Sequence, residues 1–121
     1  MKYLLPIFMV LMVASCYYDK EANLYPTATC DSASVSFDTV IKPKVFTPFC
    51  NNGICHATAN RLLAGNVALE TFADAKDAVQ TKKLLCAIEH TGCSNMPKGS
   101  LKMPACNIAL INKWVRDGFP Q

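Results

Sequence analysis

The sequence predicts a small all-α domain that follows an irregular N-terminal leader. Apolar residues recur every three or four positions in several segments, which is typical of helices packed on one face. Strict alternation of apolar and polar residues is confined to Ala33, Val35 and Phe37, where we expect a short extended segment. The chain has 121 residues, and because domains usually contain about 100–150 residues, we expect a single domain.

Residues 1–15 have the layout of a bacterial lipoprotein signal peptide. Lys2 precedes an apolar stretch over residues 3–13 that is too short to span a bilayer. The stretch ends in VASC, and small residues directly before a cysteine are typical of a lipobox. We therefore expect export, cleavage before Cys16 and a stable lipid anchor on Cys16, at the periplasmic or outer-membrane face. The alternative is an ordinary secretory signal in which Cys16 is incidental.

Composition supports an exported domain and argues against a nucleic-acid partner. Seven cysteines in so short a chain are typical of exported proteins with cross-links, and the odd number leaves one unpaired. Removal of residues 1–15 takes away one lysine and leaves a net charge of +2, without a basic run. Residues 16–34 are polar and turn-prone, so we expect a tether there and the folded domain over residues 35–121.

The first helix is expected to start near Thr39 and to deliver the chain to Cys50. Pro43 lies near its first turn, where a missing N–H costs little, and we expect a break near Pro48. Its apolar row has four-residue spacing: Ile41, Val45 and Phe49.

The middle of the chain predicts a loop and two short helices. Residues 57–69 look irregular, with one helical turn at residues 59–63. Thr71 can cap a helix, and a second helical stretch should end near Gly92. The apolar residues expected on the buried faces are Phe72, Ala75 and Val79, followed by Leu84, Leu85 and Ile88.

The last helix has the clearest pattern in the chain. Residues 93–104 contain two Met-Pro pairs and three turn formers and predict an ordered loop. Pro104 starts the helix, and Gly118 with Pro120 stops it. Its two apolar rows are Ile108, Ile111 and Val115, and Leu110 and Trp114.

The chemistry is concentrated in CNNGICH, residues 50–56. A Cys-x-x-Cys-His run marks c-type haem attachment, in which two thiols bind the haem and the histidine binds iron. Here four residues separate Cys50 from Cys55, but His56 still follows Cys55 directly. Asn and Gly accept turn conformations, so we expect the extra residues to loop out.

Two alternatives use the same residues without haem. Cys50 and Cys55 could form a disulfide, with His56 incidental. They could also bind zinc together with His56 and a fourth ligand, although structural zinc usually takes a distant second pair of ligands.

A methionine in the C-terminal half completes the haem prediction. A soft thioether is a frequent second ligand of haem iron in electron carriers. We expect Met96 to be this ligand, because Gly92 and Gly99 flank it with flexible backbone. Met103 abuts the last helix and could pack against it instead. His90 is a rival ligand that could also cap a helix end or meet a haem propionate.

Several segments of the sequence resemble a known family. CNNGICH, LETFADAKDAV, KLLCAIEH, MPKGS and CNIALINKWVRDGFP, after an opening CYYDKEANLYP, are similar to the small single-haem cytochrome c lipoproteins of Bacteroidetes, which resemble class I cytochromes c. The resemblance covers nearly all of the chain after residue 15. It implies an all-α fold around one covalent haem c, in which the first and last helices cross beside the haem. It also implies attachment at Cys50 and Cys55, with His56 as proximal and Met96 as distal ligand.

The remaining cysteines follow from that resemblance. Related sequences more often have glycine at the position of Cys86, which suggests an added cross-link. We expect Cys86 to pair with Cys93, closing the loop that presents Met96. Cys30 would pair with Cys106. Four cysteines allow three connectivities, so the other pairings stay open.

The resulting functional prediction is a lipid-anchored electron carrier that is not an enzyme, because both axial positions of the iron are filled. Its partner would be a redox protein, and four lysines near the methionines could form a docking patch or simply a solvated face. If the Met96 loop opens, the alternative is a haem sensor or a peroxidase-like protein. If no haem is attached, the chain is a disulfide-stapled interaction module on the cell surface. The four lysines are Lys82, Lys83, Lys98 and Lys102.

Overall fold

The computed structural model describes Cys30 and residues 33–52 and 54–121. The predicted signal peptide, Cys16 and most of the predicted tether lie outside the described residues. The described part is helical and contains no strand, which is compatible with the predicted all-α class. Its helices are α1 (Phe37–Asn51), α2 (Phe72–Thr81), α3 (Leu84–Glu89) and α4 (Ala105–Arg116), with a 3₁₀ turn at Thr58–Asn60.

Helix α1 differs from the prediction in length and geometry. It begins at Phe37, directly after extended backbone at Ser36 (φ −119°, ψ 162°), and runs through both Pro43 and Pro48. The predicted break near Pro48 is therefore wrong. The helix is a π-helix, whose bonds join residues five apart; one links the Ile41 N–H to the Ser36 carbonyl at 3.0 Å. A wider turn leaves more room between a proline ring and the carbonyl four residues before it, the clash that normally breaks an α-helix.

The π-helical turn also changes which residues are buried. Bonds between residues i and i+5 bring residues five apart onto one face. Phe46, five residues after Ile41, is 0% exposed and so joins Ile41 and Val45, which are buried as expected; Phe49, also expected on that row, is only half-buried.

An aromatic cluster joins the two ends of the domain, where α1 packs against α4. Trp114 lies at its centre, with its indole N–H donating to the Pro120 carbonyl at 2.8 Å. The same carbonyl accepts from the Phe37 N–H at 2.9 Å, so the C-terminal end is tied to the start of α1. The rings around Trp114, with centroids 4.9–6.5 Å away, are Phe37, Phe46, Phe72 and Phe119.

The later helices follow the sequence closely. The Thr71 hydroxyl accepts the Asp74 N–H at 3.2 Å and caps α2 as predicted. Helix α4 begins after Pro104 and stops before Gly118, whose φ of +84° is easily adopted by glycine. Both predicted apolar rows of α4 face the core, with Val115 half-buried at the edge.

A disulfide connects the leader to this core. Cys30 is bonded to Cys106 in the first turn of α4, across 76 residues of sequence. The expected pairing of these two cysteines is present in the structure.

None of the helices in the described part is long and apolar enough to cross a membrane.

Candidate functional site

The first and last residues of the CNNGICH motif meet at the C-terminal end of α1. Cys50 lies in the last turn of the helix. Six residues later the His56 N–H donates to the Cys50 carbonyl at 3.1 Å, and within the loop the Ile54 N–H donates to the Asn51 carbonyl at 2.8 Å. The structure therefore brings the first cysteine and the histidine of the motif together through the backbone.

One of the intervening residues does not loop out as expected. Asn51 is the last residue of α1, and only 8% of it is exposed. Its side-chain amide donates to the Leu69 carbonyl at 3.3 Å, so it points into the domain. Asn52 is exposed, as expected, and Gly53 lies outside the described residues.

The imidazole of His56 is oriented by a backbone carbonyl. The half-buried ring has Nδ1 at 3.1 Å from the Val67 carbonyl oxygen. Because a carbonyl only accepts, Nδ1 carries the proton in this contact, and Nε2 is the nitrogen through which the neutral ring could bind a metal. Among the described residues no side chain or backbone group is hydrogen-bonded to Nε2, which leaves that nitrogen able to act as a ligand.

Cys50 and Cys55 are both unpaired, so the alternative disulfide between them is not formed. Burial raises the pKa of the Cys50 thiol to about 12, and the nearby Cys55 adds to the shift. Cys55 itself is exposed. The site thus offers one neutral, partly buried thiol and one accessible thiol next to the histidine.

Met96 lies in a loop held by its own set of contacts. Its N–H donates to the Ala87 carbonyl at 3.0 Å, and its carbonyl lies 3.0 Å from Nε2 of His90. A disulfide between Cys86 and Cys93, the expected pair, closes the turn between α3 and this loop. Met96 is half-buried.

The two rivals of Met96 have other contacts. Met103 is 4% exposed and belongs to the core, so packing accounts for it. His90 ends α3 in a left-handed conformation (φ 57°), and its Nε2 faces the Met96 carbonyl. These contacts fit the alternatives noted from sequence, namely that Met103 packs and His90 caps a helix end.

The large exposed apolar side chains of the described part all lie in loops. Ile54, Leu62 and Leu63 lie within or after the motif, and Leu101 follows Met96. They are between 70% and 91% exposed. Isolated apolar side chains are common on protein surfaces, so these four do not by themselves mark a binding site.

The described residues contain no cluster of three or more His, Cys, Asp or Glu side chains that could hold a metal ion. A structural zinc site needs such a cluster, so the zinc alternative gains no support in this part of the chain. Haem iron needs only one or two protein ligands, and this finding does not bear on haem.

Two features of the site were not predicted. Asn51 was interpreted only as a turn former, and its burial follows from the extension of α1 to residue 51. Val67 contributes a backbone carbonyl, and because every residue carries a carbonyl, no signal in the sequence could have singled it out.

Comparison with known proteins identified no matching family model, no curated relative and no similar solved structure.

Proposed function

We propose that this protein is a c-type cytochrome with one covalent haem, anchored by an N-terminal lipid and carrying electrons. The observation that carries the proposal is the arrangement of His56: its Nδ1 bonds to the Val67 carbonyl and its Nε2 is left for a metal. Histidines that bind metals commonly donate their other N–H to a carbonyl in this way.

The donor set fits a c-type haem. Cys50 and Cys55 are unpaired while the other four cysteines of the described part form two disulfides. Thioether attachment adds S–H across a carbon–carbon double bond and leaves an uncharged sulfur, which suits the buried position of Cys50. His56 would be the proximal ligand and Met96 the distal ligand.

A bound haem supplies a reversible one-electron couple between ferric and ferrous iron. The residues of the chain would orient it, because the Val67 carbonyl holds Nδ1 of the His56 ring. The exposed side chain of Ile54, next to Cys55, would be available to pack against a porphyrin. If His56 and Met96 both bound the iron, they would leave no position open to a substrate. This favours electron transfer over catalysis.

The proposed setting is the periplasmic or outer-membrane face of a bacterial membrane, with the lipid on Cys16 and a redox protein as partner. The lysines of the expected docking patch are all exposed and would be accessible to an acidic surface. They are Lys82, Lys83, Lys98 and Lys102.

Haem staining after denaturing electrophoresis tests the proposal, because a thioether-bound haem survives unfolding. The protein is produced together with a bacterial haem-attachment system. We expect a stained band at its mass and no staining of the Cys50→Ser/Cys55→Ser variant. The Cys86→Ser/Cys93→Ser variant removes the same number of cysteines from the other loop and should stain like the parent.

A colourless parent band, with a known c-type cytochrome stained in the same cells, would sink the proposal and favour the haem-free interaction module. The intact mass of the same sample reports the acyl chains on Cys16. An optical spectrum without a methionine–iron band would instead favour the haem sensor or peroxidase-like protein.

A further inference from the structure

Asn51 is the only buried polar residue in the part of the chain that the structure describes. It lies inside the motif, directly after Cys50. Polar groups are buried at a cost unless they are hydrogen-bonded, so its position calls for a specific partner.

The partner is a segment that also holds His56. The Asn51 amide donates to the Leu69 carbonyl at 3.3 Å, and the Leu69 N–H donates to the His56 carbonyl at 2.9 Å. Two residues earlier, the Val67 carbonyl contacts Nδ1 of His56 at 3.1 Å. Residues 67–69 therefore meet the motif at three points, and Asn51 supplies the one side-chain amide among them.

Hydrogen bonds and the burial of Leu69 in the core place this segment, because regular secondary structure does not. Residues 61–66 are turns, with positive φ at Gly65 and Asn66, and residues 67–69 belong to no helix. The carbonyl that orients the histidine ring thus lies on a stretch of chain whose position depends on its contacts with the motif and the core.

We propose that Asn51 is a positioning residue for His56: its amide holds residues 67–69 against the motif and keeps the Val67 carbonyl in line with Nδ1. The inference rests on the proposed function in that the positioned ring is the proximal ligand of a haem.

The amide is also well suited to a test. Only its donor is used; the Asn51 Oδ1 atom is buried and has no hydrogen-bond partner. Asn51→Leu removes both the donor and this unpaired acceptor and keeps a branched side chain with the same number of heavy atoms, so the domain should still fold. A merely structural role predicts that leucine is tolerated with no effect on His56.

Asn107→Leu is the matched control. The Asn107 amide likewise donates to a backbone carbonyl at 3.3 Å, that of Lys44, but it lies in α4, away from the motif. Both variants lose one amide-to-carbonyl bond of the same length.

The first measurement is hydrogen exchange of the Leu69 amide, which reports the attachment of residues 67–69 with or without haem. We expect it to be about tenfold faster in Asn51→Leu and unchanged in Asn107→Leu. The second is the reduction potential of the haem-containing protein. A hydrogen-bonded Nδ1–H makes the imidazole a stronger donor and favours ferric iron, so Asn51→Leu should raise the potential.

Unchanged Leu69 exchange in Asn51→Leu would overturn the inference. Faster exchange with an unchanged potential would also overturn it, because Asn51 would then anchor the segment without orienting the histidine. If the staining experiment shows that the parent carries no haem, the proposed function fails by itself. The ¹⁵N shifts of the His56 ring then replace the potential: loss of the Nδ1–H tautomer in Asn51→Leu supports positioning, and an unaltered tautomer refutes it.

Discussion

The two segments that carry the proposed iron ligands are held in different ways. In the histidine segment (residues 50–69), the ligand side chain itself is hydrogen-bonded, from Nδ1 of His56 to Val67, and no disulfide is present. In the methionine loop (residues 86–103), the contacts hold only the backbone of Met96, through Ala87 and His90, and a disulfide closes the loop.

The difference follows from the chemistry of the two side chains. An imidazole has a second nitrogen that can donate to a carbonyl while the first binds a metal, whereas a thioether sulfur is only a weak acceptor. The fold can therefore orient His56 directly, but it can orient Met96 only by fixing the loop around it. In the proposed cytochrome, His56 is thus the firm ligand and Met96 the exchangeable one.

Replacing each ligand gives the largest expected contrast. His56→Ala should lower the haem content per chain by more than about tenfold, while Met96→Ala should keep the haem and lose only the methionine–iron band. Haem staining and optical spectra measure both effects. Met103→Leu, a volume-conserving change in the core, serves as control and should match the parent. Equal haem loss in the two alanine variants would contradict the proposed difference between a firmly held His56 and an exchangeable Met96.

The two disulfides should have different roles: one mainly stabilises the fold, and the other also positions Met96. The loop-closure entropy of 76 residues predicts that Cys30→Ser/Cys106→Ser loses about 4 kcal/mol of unfolding free energy, against about 2 kcal/mol for Cys86→Ser/Cys93→Ser across seven residues. Only the second variant should weaken the methionine–iron band. Urea unfolding and spectra of the same samples measure both. A methionine–iron band weakened only in Cys30→Ser/Cys106→Ser would show that the Cys30–Cys106 disulfide, and not the Cys86–Cys93 disulfide, positions Met96.

Alkaline titration should distinguish the haem-free from the haem-containing histidine segment. Burial raises the pKa of the Cys50 thiol to about 12 from a usual value of 9.0, so the folded state holds this proton over a range where the unfolded state loses it. Stability of the haem-free protein should be unaffected by this thiol below pH 9 and should fall as the pH rises from about 9 to about 12. A thioether does not ionise, so the haem-containing protein should lack this fall.

The control for this titration is the haem-free Cys50→Ala variant, which also lacks the thiol. Free energies of urea unfolding at several pH values make the comparison. The same alkaline fall in parent and variant would show that other groups cause it.

Loss of the His90 contact should have the smallest effect. His90→Asn keeps a residue that tolerates the left-handed backbone but shortens the side chain that reaches the Met96 carbonyl. We expect imidazole to displace Met96 more readily, with its Kd for the ferric protein lowered by about three- to tenfold. Optical titration measures this, and Asn107→Leu should bind imidazole like the parent. An unchanged Kd in His90→Asn would mean that the Ala87 contact and the disulfide hold the loop without His90.

Much of the fold was predictable because local signals place its helices. Thr71 caps α2 by a contact within three residues, and Gly118 ends α4 through its own backbone conformation. The error lies in α1, where Pro48 was taken as a helix breaker. The rule holds for an α-helix, and the local sequence does not reveal that this segment adopts a π-helix against α4.

The candidate site also has a part that the sequence predicted and a part that only the structure revealed. The residue types Cys50, Cys55 and His56, and the nomination of Met96 over Met103, came from spacing and order along the chain; their role as haem-binding residues stays a prediction. The contacts that orient them did not come from spacing. Asn51 and Val67 act through partners 18 and 11 residues away, and one of them contributes only a backbone carbonyl.

By itself, the sequence determined the positions of α2, α3 and α4 and the chemical groups gathered in CNNGICH, because caps, periodicity and neighbouring residues act over a few positions. Only the tertiary structure decided that α1 continues to residue 51, that Asn51 is buried and that the His56 ring faces Val67. Each of these depends on contacts between distant parts of the chain, whose energies a local pattern does not contain.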